Sequence, residues 1–199
     1  MFTGIIQDIG EISAIDKRGD WTLTVIAKKL PLDKINLGAS ISCSGICLTV
    51  IEKQSAQFKV QISAETVDKT TAKKWRQGQR LNLECALRLG DELSGHLLSG
   101  HIDGVARITN KRGEGDSQRF EFEIPKAFSK FIAPKGSISL DGVSLTINEA
   151  LNAHFGINII QHTQNETTFD VAQVGDEVNF EVDMMARYIV RMLEQRAAL

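Results

Sequence analysis

The 199-residue sequence contains only three cysteines, and this scarcity argues against two common forms of stabilisation. A small, odd number of cysteines does not predict a disulfide framework. Cys43 and Cys47 are separated by three residues and have no second Cys or His pair near them, so a structural zinc site is not expected either. With 42% hydrophobic residues, the chain has the composition of a globular protein with a hydrophobic core.

The sequence also lacks long apolar runs and clusters of one charge. No apolar run approaches the roughly 20 residues that a membrane-spanning helix requires. Lys and Arg are scattered and the formal net charge is −2, so neither nucleic acid nor a membrane surface is expected as a partner. The first residues, MFTGIIQDIGE, have no basic segment typical of a secretory signal, and we therefore expect a cytoplasmic protein.

Familiar catalytic motifs are absent as well. The sequence has no phosphate-binding loop, nucleotide-binding glycine pattern, Ser-His-Asp spacing or HExxH. His96 and His101 do not form a metal pair, because residues five apart on a strand point to opposite faces. We expect no metal site, and we interpret His96, His154 and His162 as ordinary hydrogen-bonding histidines.

What the sequence does contain is an internal repeat. A shift of 97 positions places SISCSGICLTVIE (40–52) over SISLDGVSLTINE (137–149) without a gap, and the register continues to Glu84 and Glu181. Near the start the offset is 96, which places Thr3-Gly4-Ile5-Ile6 over Ser99-Gly100-His101-Ile102. The chain is therefore a tandem duplication, and the doubled Ser-Gly-His of residues 94–101 marks the seam between its copies.

Each copy has the pattern of a small β domain. Residues 58–63, 80–85 and 119–124 alternate strictly between apolar and polar, which predicts strands. Short strands separated by turns predict an all-β fold of two similar closed antiparallel barrels, with a short helix in 125–135 at a barrel end. On the same alternation, Glu84 and Glu181 are expected to face solvent.

The last residues differ from the rest of the chain, because they have no partner in the first copy. Five of them fall on one face of a predicted helix, namely Met185, Tyr188, Ile189, Met192 and Leu193. Two interpretations stay open: the helix packs on its own barrel, or it packs against the same helix in other subunits.

Positions where the two copies differ in chemistry are candidates for function. Cys47 lies over Ser144, so a thiol in the first copy replaces a hydroxyl in the second. His101 lies over Ile5, which gives the second copy an imidazole that the first lacks. Asp183 is a further candidate, because it lies where the last strand gives way to the tail helix.

Hydroxyl side chains recur at equivalent positions near turns in both copies. They suit a pocket that hydrogen-bonds a polar heteroaromatic ring, although strand preference alone would also explain them. The pairs are Ser40/Ser137, Thr49/Thr146 and Thr66/Thr163.

Four motifs together resemble the riboflavin synthase family, which is built from two lumazine-binding repeats: MFTGII, GICLTV, SGHLLSGHIDG and KGSISLDGVSLT. The resemblance covers nearly the whole chain. It implies two six-stranded Greek-key barrels, residues 1–97 and 98–183, followed by a trimerisation helix at 184–199. The implied assembly is a homotrimer in which a pocket of one subunit's first barrel faces a pocket of its neighbour's second barrel.

The resemblance also implies a reaction. Two molecules of 6,7-dimethyl-8-ribityllumazine dismutate by transfer of a four-carbon unit, giving riboflavin and 5-amino-6-(D-ribitylamino)uracil. No metal, flavin or nucleotide cofactor is needed. Lumazine synthase, which makes the substrate, is a candidate partner.

The site residues that this resemblance implies form two pockets. The first pocket would use Phe2, Gly4, Ile5, Ile6, Ser40, Cys47, Leu48, Thr49, Gln61, Ile62, Ser63, Ala64, Glu65 and Thr66. The second would use Gly100, His101, Ile102, Lys135, Ser144, Leu145, Thr146, Asn158, Ile159, Ile160, Gln161, His162 and Thr163. His101 is the expected proton-transfer residue, Cys47 and Ser40 are candidates for the nucleophile or for holding a nucleophilic water, and Asp183 has no fixed role.

Two alternatives compete with an enzyme. One is a chromophore protein of the same fold that binds lumazine or flavin without turning it over. Retention of both Cys47 and His101 favours the enzyme, because an activated nucleophile beside a base is what the chemistry requires. The other is a structural barrel module, which would leave the chemical difference between the copies unexplained.

Overall fold

The computed structural model describes residues 1–197, and it consists of two closed six-stranded antiparallel barrels and a C-terminal helix. The first barrel comprises β1 (Asp8–Asp16), β2 (Trp21–Ile26), β3 (Ser40–Cys43), β4 (Ile46–Lys53), β5 (Gln57–Ile62) and β6 (Arg80–Cys85). The second comprises β7 (Gly104–Glu114), β8 (Ser117–Glu123), β9 (Ser137–Leu140), β10 (Val143–Leu151), β11 (His154–Ile160) and β12 (Glu177–Val182). The helices are α1 (Ala64–Lys69), α2 (Gln161–Asn165) and α3 (Met184–Ala197). The predicted fold class is confirmed.

The two barrels are built on the same plan. Going around the first barrel, the strand order is β1-β2-β5-β4-β3-β6, and the second has the equivalent order β7-β8-β11-β10-β9-β12. Even the β-bulges recur: one lies between Ile12 and Ala14 in β1 and another between Ile108 and Asn110 in β7. A bulge bends a strand and increases its twist, which helps a short sheet to close on itself.

Alternation along the strands produces a separate hydrophobic core in each barrel. On β5, Phe58, Val60 and Ile62 point inward and are almost completely buried, while the residues between them face outward. The predicted helix in 125–135 is a 3-10 helix over Lys126–Phe131, whose phenylalanines pack on the second core. Closure of both sheets leaves no free strand edge within either barrel.

The expectation that Glu84 and Glu181 face solvent is wrong. Both carboxylates are buried, because the segments that begin each copy cover the outward faces of β6 and β12. Glu84 accepts hydrogen bonds from the backbone N–H and hydroxyl of Thr3 (2.7 and 2.8 Å) and from the N–H of Gly4 (3.0 Å). Glu181 accepts the equivalent three bonds from Ser99 and Gly100. Each carboxylate thus anchors one segment by satisfying three donors.

Two asparagines join the barrels through reciprocal hydrogen bonds. Asn82 of β6 donates its side-chain N–H to the carbonyl of Asp141 (2.9 Å) and accepts from the N–H of Thr168 (2.8 Å). Asn179 of β12 makes the equivalent bonds to the carbonyl of Ser44 and from the N–H of Thr71. Both asparagines are fully buried, and each side chain donates one hydrogen bond to the backbone of the other copy and accepts one from it.

Ion pairs around this junction all have the same polarity. Lys29, Lys74 and Arg80 of the first copy pair with Glu166, Glu177 and Asp170 of the second. Such partly exposed pairs contribute about 0–1 kcal/mol each. In each pair the first copy supplies the cation and the second copy supplies the anion. This arrangement favours contact between a first and a second copy over contact between two first copies or two second copies.

Helix α3 is attached to the seam between the copies. The guanidinium of Arg187 donates two hydrogen bonds to the carboxylate of Asp103 (2.8 and 2.9 Å), and Lys130 forms an ion pair with Glu194. The five apolar residues of its predicted face are all more than half exposed in the single chain. In the part of the chain that the structure describes, no helix has the length and apolarity to cross a membrane.

The junction should make stability depend on pH through Asp141. Burial raises the pKa of this carboxyl from 3.8 to about 7, against the opposing effect of the N–H of Asn179, which donates to it. The folded protein then holds a proton that the unfolded chain releases above pH 4, so this contribution to stability is complete at low pH and is lost as the pH rises to about 7.

We therefore expect Asp141→Asn to gain stability relative to the wild type between pH 5 and pH 7, by at most about 1.4 kcal/mol per pH unit. Asn tolerates the left-handed backbone at this position (φ 45°), so the turn itself is preserved. Urea unfolding of both proteins across this range measures the difference. Parallel curves for variant and wild type would contradict the assignment.

Candidate active site

The segment that begins each copy crosses over to the other barrel, and this corrects the predicted pockets. Gly4 does not lie beside Cys47: its carbonyl accepts from the N–H of Ser144 in the second barrel (2.9 Å). Gly100 does not lie beside Ser144: its carbonyl accepts from the N–H of Cys47 in the first barrel (2.9 Å). Phe2 and Leu98 pair antiparallel where the two segments pass each other. Gly4, Ile5 and Ile6 therefore belong with the second barrel, and Gly100, His101 and Ile102 with the first.

The first site is the cavity beside Cys47, with a volume of about 350 Å³. Both copies contribute to it: Cys47 and Thr66 come from the first barrel, and His101 comes from the crossing segment of the second copy. Cys47 is partly exposed on β4, and α1 forms the opposite wall. The two residues that distinguish the copies, Cys47 and His101, thus line one cavity. The remaining lining residues are Ile46, Glu65, Lys69, Thr70, Gly100 and Ile102.

The second site is the equivalent place beside Ser144. His96 contacts it directly, with 2.7 Å between Nδ1 of His96 and Oγ of Ser144. Gly95 packs so closely on Ser144 and on the carbonyl of Thr3 that a Cβ atom would not fit. His96, in the first Ser-Gly-His, was expected to be an ordinary hydrogen-bonding histidine, as most single histidines are. The repetition of that tripeptide was the one signal that could have identified it.

The protonation of His96 suits a general base. Burial lowers the pKa of His96, and the negative charge of Asp183 acts in the opposite direction. The imidazole is therefore neutral at pH 7 and hydrogen-bonded to a hydroxyl. Its Nε2 is buried and has no hydrogen-bond partner among residues 1–197. Asp183 itself accepts from the N–H of Met185 and caps the start of α3 (2.8 Å).

A row of polar side chains crosses each barrel beside its site. In the first barrel Ser40 faces Thr49 across β3 and β4, and Thr49 faces Gln61 on β5. In the second barrel Ser137 faces Thr146, and the Ile147–Ile157 pair places Thr146 beside Asn158. These side chains alternate with core residues and so point outward, which makes each row a surface for a polar ligand.

The other predicted site residues fall into two groups. Four have their side chains in the barrel cores and could face a ligand only through their backbone: Leu48, Ile62, Leu145 and Ile159. The rest lie where β5 and β11 turn into α1 and α2, or at the turn before β9 (Lys135). Those at the strand ends are Ser63, Ala64, Glu65 and Thr66 in the first copy, and Ile160, Gln161, His162 and Thr163 in the second.

The remaining cysteines are poor nucleophiles. Burial raises the pKa of the Cys43 thiol strongly and that of Cys85 to a lesser extent, so neither forms a thiolate readily at pH 7. Within the described residues, no three His, Cys, Asp or Glu side chains converge as a metal site would require.

Comparison with known proteins agrees with this architecture. The family model "Lumazine binding domain" matches twice, at residues 3–86 and 99–183. The two matches define the chain as a tandem lumazine-binding protein. It is 43% identical to riboflavin synthase from Brucella abortus over 98% of both chains, and 38% identical to that of Bacillus subtilis over 98% of this chain and 91% of the relative. The chain belongs to the riboflavin synthase family.

Solved structures of the same fold carry ligands. LumP complexed with riboflavin superposes with a TM-score of 0.84 at 28% identity, over 92% of this chain and 99% of that protein. LumP complexed with 6,7-dimethyl-8-(1'-D-ribityl) lumazine superposes with a TM-score of 0.82 at 27% identity and the same coverage.

Gly100 should be intolerant of any side chain. Its φ is +77°, and a Cβ would lie 2.5 Å from the Cβ of Cys47. Gly38 has a similar φ of +83° but has nothing within 4 Å of its Cβ position, which makes it a matched control. We expect Gly38→Ala to cost about 1 kcal/mol from the backbone alone, and Gly100→Ala to cost about 1–3 kcal/mol more from overpacking. Thermal unfolding compares the two variants, and equal melting temperatures would show that the crossing segment is not packed against Cys47 as described.

Proposed function

We propose that the chain is a riboflavin synthase: it takes two molecules of 6,7-dimethyl-8-ribityllumazine and transfers a four-carbon unit from one to the other. The products are riboflavin and 5-amino-6-(D-ribitylamino)uracil. A cytoplasmic setting belongs to this proposal, as does a partnership with lumazine synthase, which would supply the substrate.

The observation that supports this function most strongly is the pair of similar sites built by the crossing segments. A reaction between two identical molecules needs two binding surfaces with a similar pattern of polar groups, and the duplicated rows of hydroxyl and amide side chains match that requirement. The two molecules must nevertheless take different roles. The chemical difference between the sites, Cys47 with His101 in one and Ser144 with His96 in the other, supplies that distinction.

The residues suggest a division of chemical tasks. His101 is proposed for removal of the proton from the 7-methyl group of a donor held in the facing second site of the neighbouring subunit, since histidine is the side chain most often used for such proton transfer. Cys47, with Ser40 near it, is the candidate in the first site for the nucleophile, or for holding a nucleophilic water, at the acceptor's C7. In the second site the alternative candidate for the same role is the hydroxyl of Ser144, which is hydrogen-bonded to the imidazole of His96. Asp183 is proposed to influence the charge state of His96.

Assembly is proposed to complete the reaction centre. Two rings must lie face to face, and holding reactants in this way can contribute about 7–11 kcal/mol to lowering the barrier. The exposed apolar face of α3 is the proposed trimer contact, which would bring the first site of one subunit to the second site of its neighbour. The Arg187–Asp103 contact attaches this helix two residues from His101, so assembly and site geometry are connected through the chain.

The test of function is turnover of the lumazine alone. Purified protein incubated with 6,7-dimethyl-8-ribityllumazine and no added cofactor should produce riboflavin, measured by its visible absorbance. His101→Ala should lower turnover more than it lowers lumazine affinity, because the proposed role is in proton transfer. Tight binding without product would instead identify a chromophore carrier, and equal losses of turnover and affinity would move His101 from chemistry to binding.

The trimer is tested separately by charging the apolar face of α3. Ile189→Lys with Met192→Lys should produce monomers with little activity, because lysines would be buried at the proposed contact. Removing residues 184–199 should have the same effect. Arg191→Ala, off that face, serves as the control and should remain trimeric. Light scattering after gel filtration measures the mass, and a fully active monomer would contradict a site shared between subunits.

A further inference from the structure

The polar row of the second barrel extends one strand further than the three residues described above. In the first barrel Gln61 faces Thr22 on β2, and in the second Asn158 faces Arg119 on β8. The fourth position is therefore a small hydroxyl in one copy and a guanidinium in the other. With neighbouring strands about 4.8 Å apart, four positions span about 14 Å, which suits a ligand longer than a single ring.

Arg119 occupies a place that the first copy fills differently. In the first barrel Lys59 on β5 forms an exposed ion pair with Glu52 (2.7 Å). The equivalents of Lys59 and Glu52 are Gly156 on β11 and Glu149 on β10, and Glu149 pairs instead with Arg119 on β8, the strand beyond β11. A Cβ on Gly156 would lie against the carboxylate of Glu149 and 2.5 Å from Nη2 of Arg119, so this ion pair occupies the space that a side chain at position 156 would take.

The buried guanidinium fixes the orientation of one amide. Only 6% of the Arg119 side chain is exposed, and its Nη1 donates to Oδ1 of Asn158 (2.8 Å). The Nδ2 of Asn158 donates to Glu114 (3.2 Å). A guanidinium can only donate and a carboxylate can only accept, so the amide cannot flip. The second N–H of Asn158 has no hydrogen-bond partner among residues 1–197. Gln61 has no side-chain hydrogen bond in the described part of the chain.

We propose that Arg119 is a positioning residue that holds Asn158 as a hydrogen-bond donor to a ring carbonyl oxygen of the lumazine in the second site. The inference rests on the proposed function for the identity of the ligand. A fixed donor recognises only an acceptor, whereas the free amide of Gln61 in the first site can adapt to either. The second site is then the more selective of the two, and the copies differ in recognition as well as in chemistry.

Lumazine titration of three single variants tests this proposal. Arg119→Lys keeps the charge beside Glu149 but cannot hold both partners in the planar geometry of a guanidinium. Asn158→Asp keeps the shape but replaces the donor with an acceptor. Each of these two variants should lower the affinity for 6,7-dimethyl-8-ribityllumazine about five- to tenfold at one of the two sites per chain, which is the value of one hydrogen bond. The affinity of the other site should be unchanged. Lys59→Met, which removes the equivalent ion pair of the first copy, is the matched control and should bind normally at both sites.

The double variant separates positioning from an independent effect. If Arg119 acts through Asn158, Arg119→Lys with Asn158→Asp should bind no worse than Asn158→Asp alone. Normal binding at both sites in the single variants, or equal weakening of both sites with a lowered melting temperature, would overturn the proposal. If the variants lose affinity at one site but the wild-type protein does not turn lumazine over, the positioning role of Arg119 is supported and the proposed enzyme activity is refuted. If the wild-type protein turns lumazine over and the variants bind normally at both sites, the enzyme activity is supported and the positioning role is refuted.

Discussion

The architecture depends on two buried carboxylates, Glu84 and Glu181, which accept hydrogen bonds from backbone N–H groups in segments that are not part of a strand. The segments at Thr3–Gly4 and Ser99–Gly100 lie between barrels and lack a sheet partner for their first N–H groups, so each would carry buried unsatisfied donors. Glu84 and Glu181 satisfy those donors from the segment's own barrel, while Gly4 and Gly100 pack on the other. Burial raises the pKa of Glu84, but hydrogen bonds from Thr3 and Gly4 oppose the rise. A glutamine at either position would be a poorer partner, because its side-chain NH2 can only donate and all three groups that face the carboxylate are donors.

Duplication explains why the sites are alike, and a few substitutions explain why they differ. The strand order, bulges, anchoring glutamates and clasping asparagines all recur, so the scaffold around each site has the same geometry. On this shared scaffold, single differences have large chemical consequences. Cys47 of the first copy is a thiol where Ser144 of the second is a hydroxyl. Lys59 of the first copy corresponds to Gly156 of the second, and Arg119 lies in the space beside that glycine. A reaction that assigns different roles to identical molecules needs this combination of a shared scaffold and unequal chemistry.

Much of the fold followed from local rules, whereas the site did not. Strict alternation predicted β5, β6 and β8, and the repeat offset predicted two equal barrels. The same offset paired Cys47 with Ser144 and singled out His101. It could not reveal the crossing, because aligning two copies says which residues are equivalent and not which barrel a segment contacts. The solvent-facing assignment of Glu84 failed for that reason: alternation identifies the outward face of a strand, but not what covers it. His96 was missed because its partner Ser144 is 48 residues away.

The stretch from Ser99 to Asp103 shows how closely the two requirements are joined. Its first two residues bind Glu181, its middle residue is His101, and its last is Asp103. In the first copy the equivalent of Asp103 is Gln7, whose side-chain oxygen accepts only the N–H of Cys85. Asp103 accepts the equivalent hydrogen bond from the N–H of Val182, and it also accepts hydrogen bonds from Nη1 and Nη2 of Arg187 on α3. Replacing an amide with a carboxylate thus turned a local backbone contact into an attachment for the helix. Any displacement of α3 would therefore act on the same five residues that include His101, so contacts with Glu181 of β12 and with Arg187 of α3 both constrain the segment that carries this imidazole.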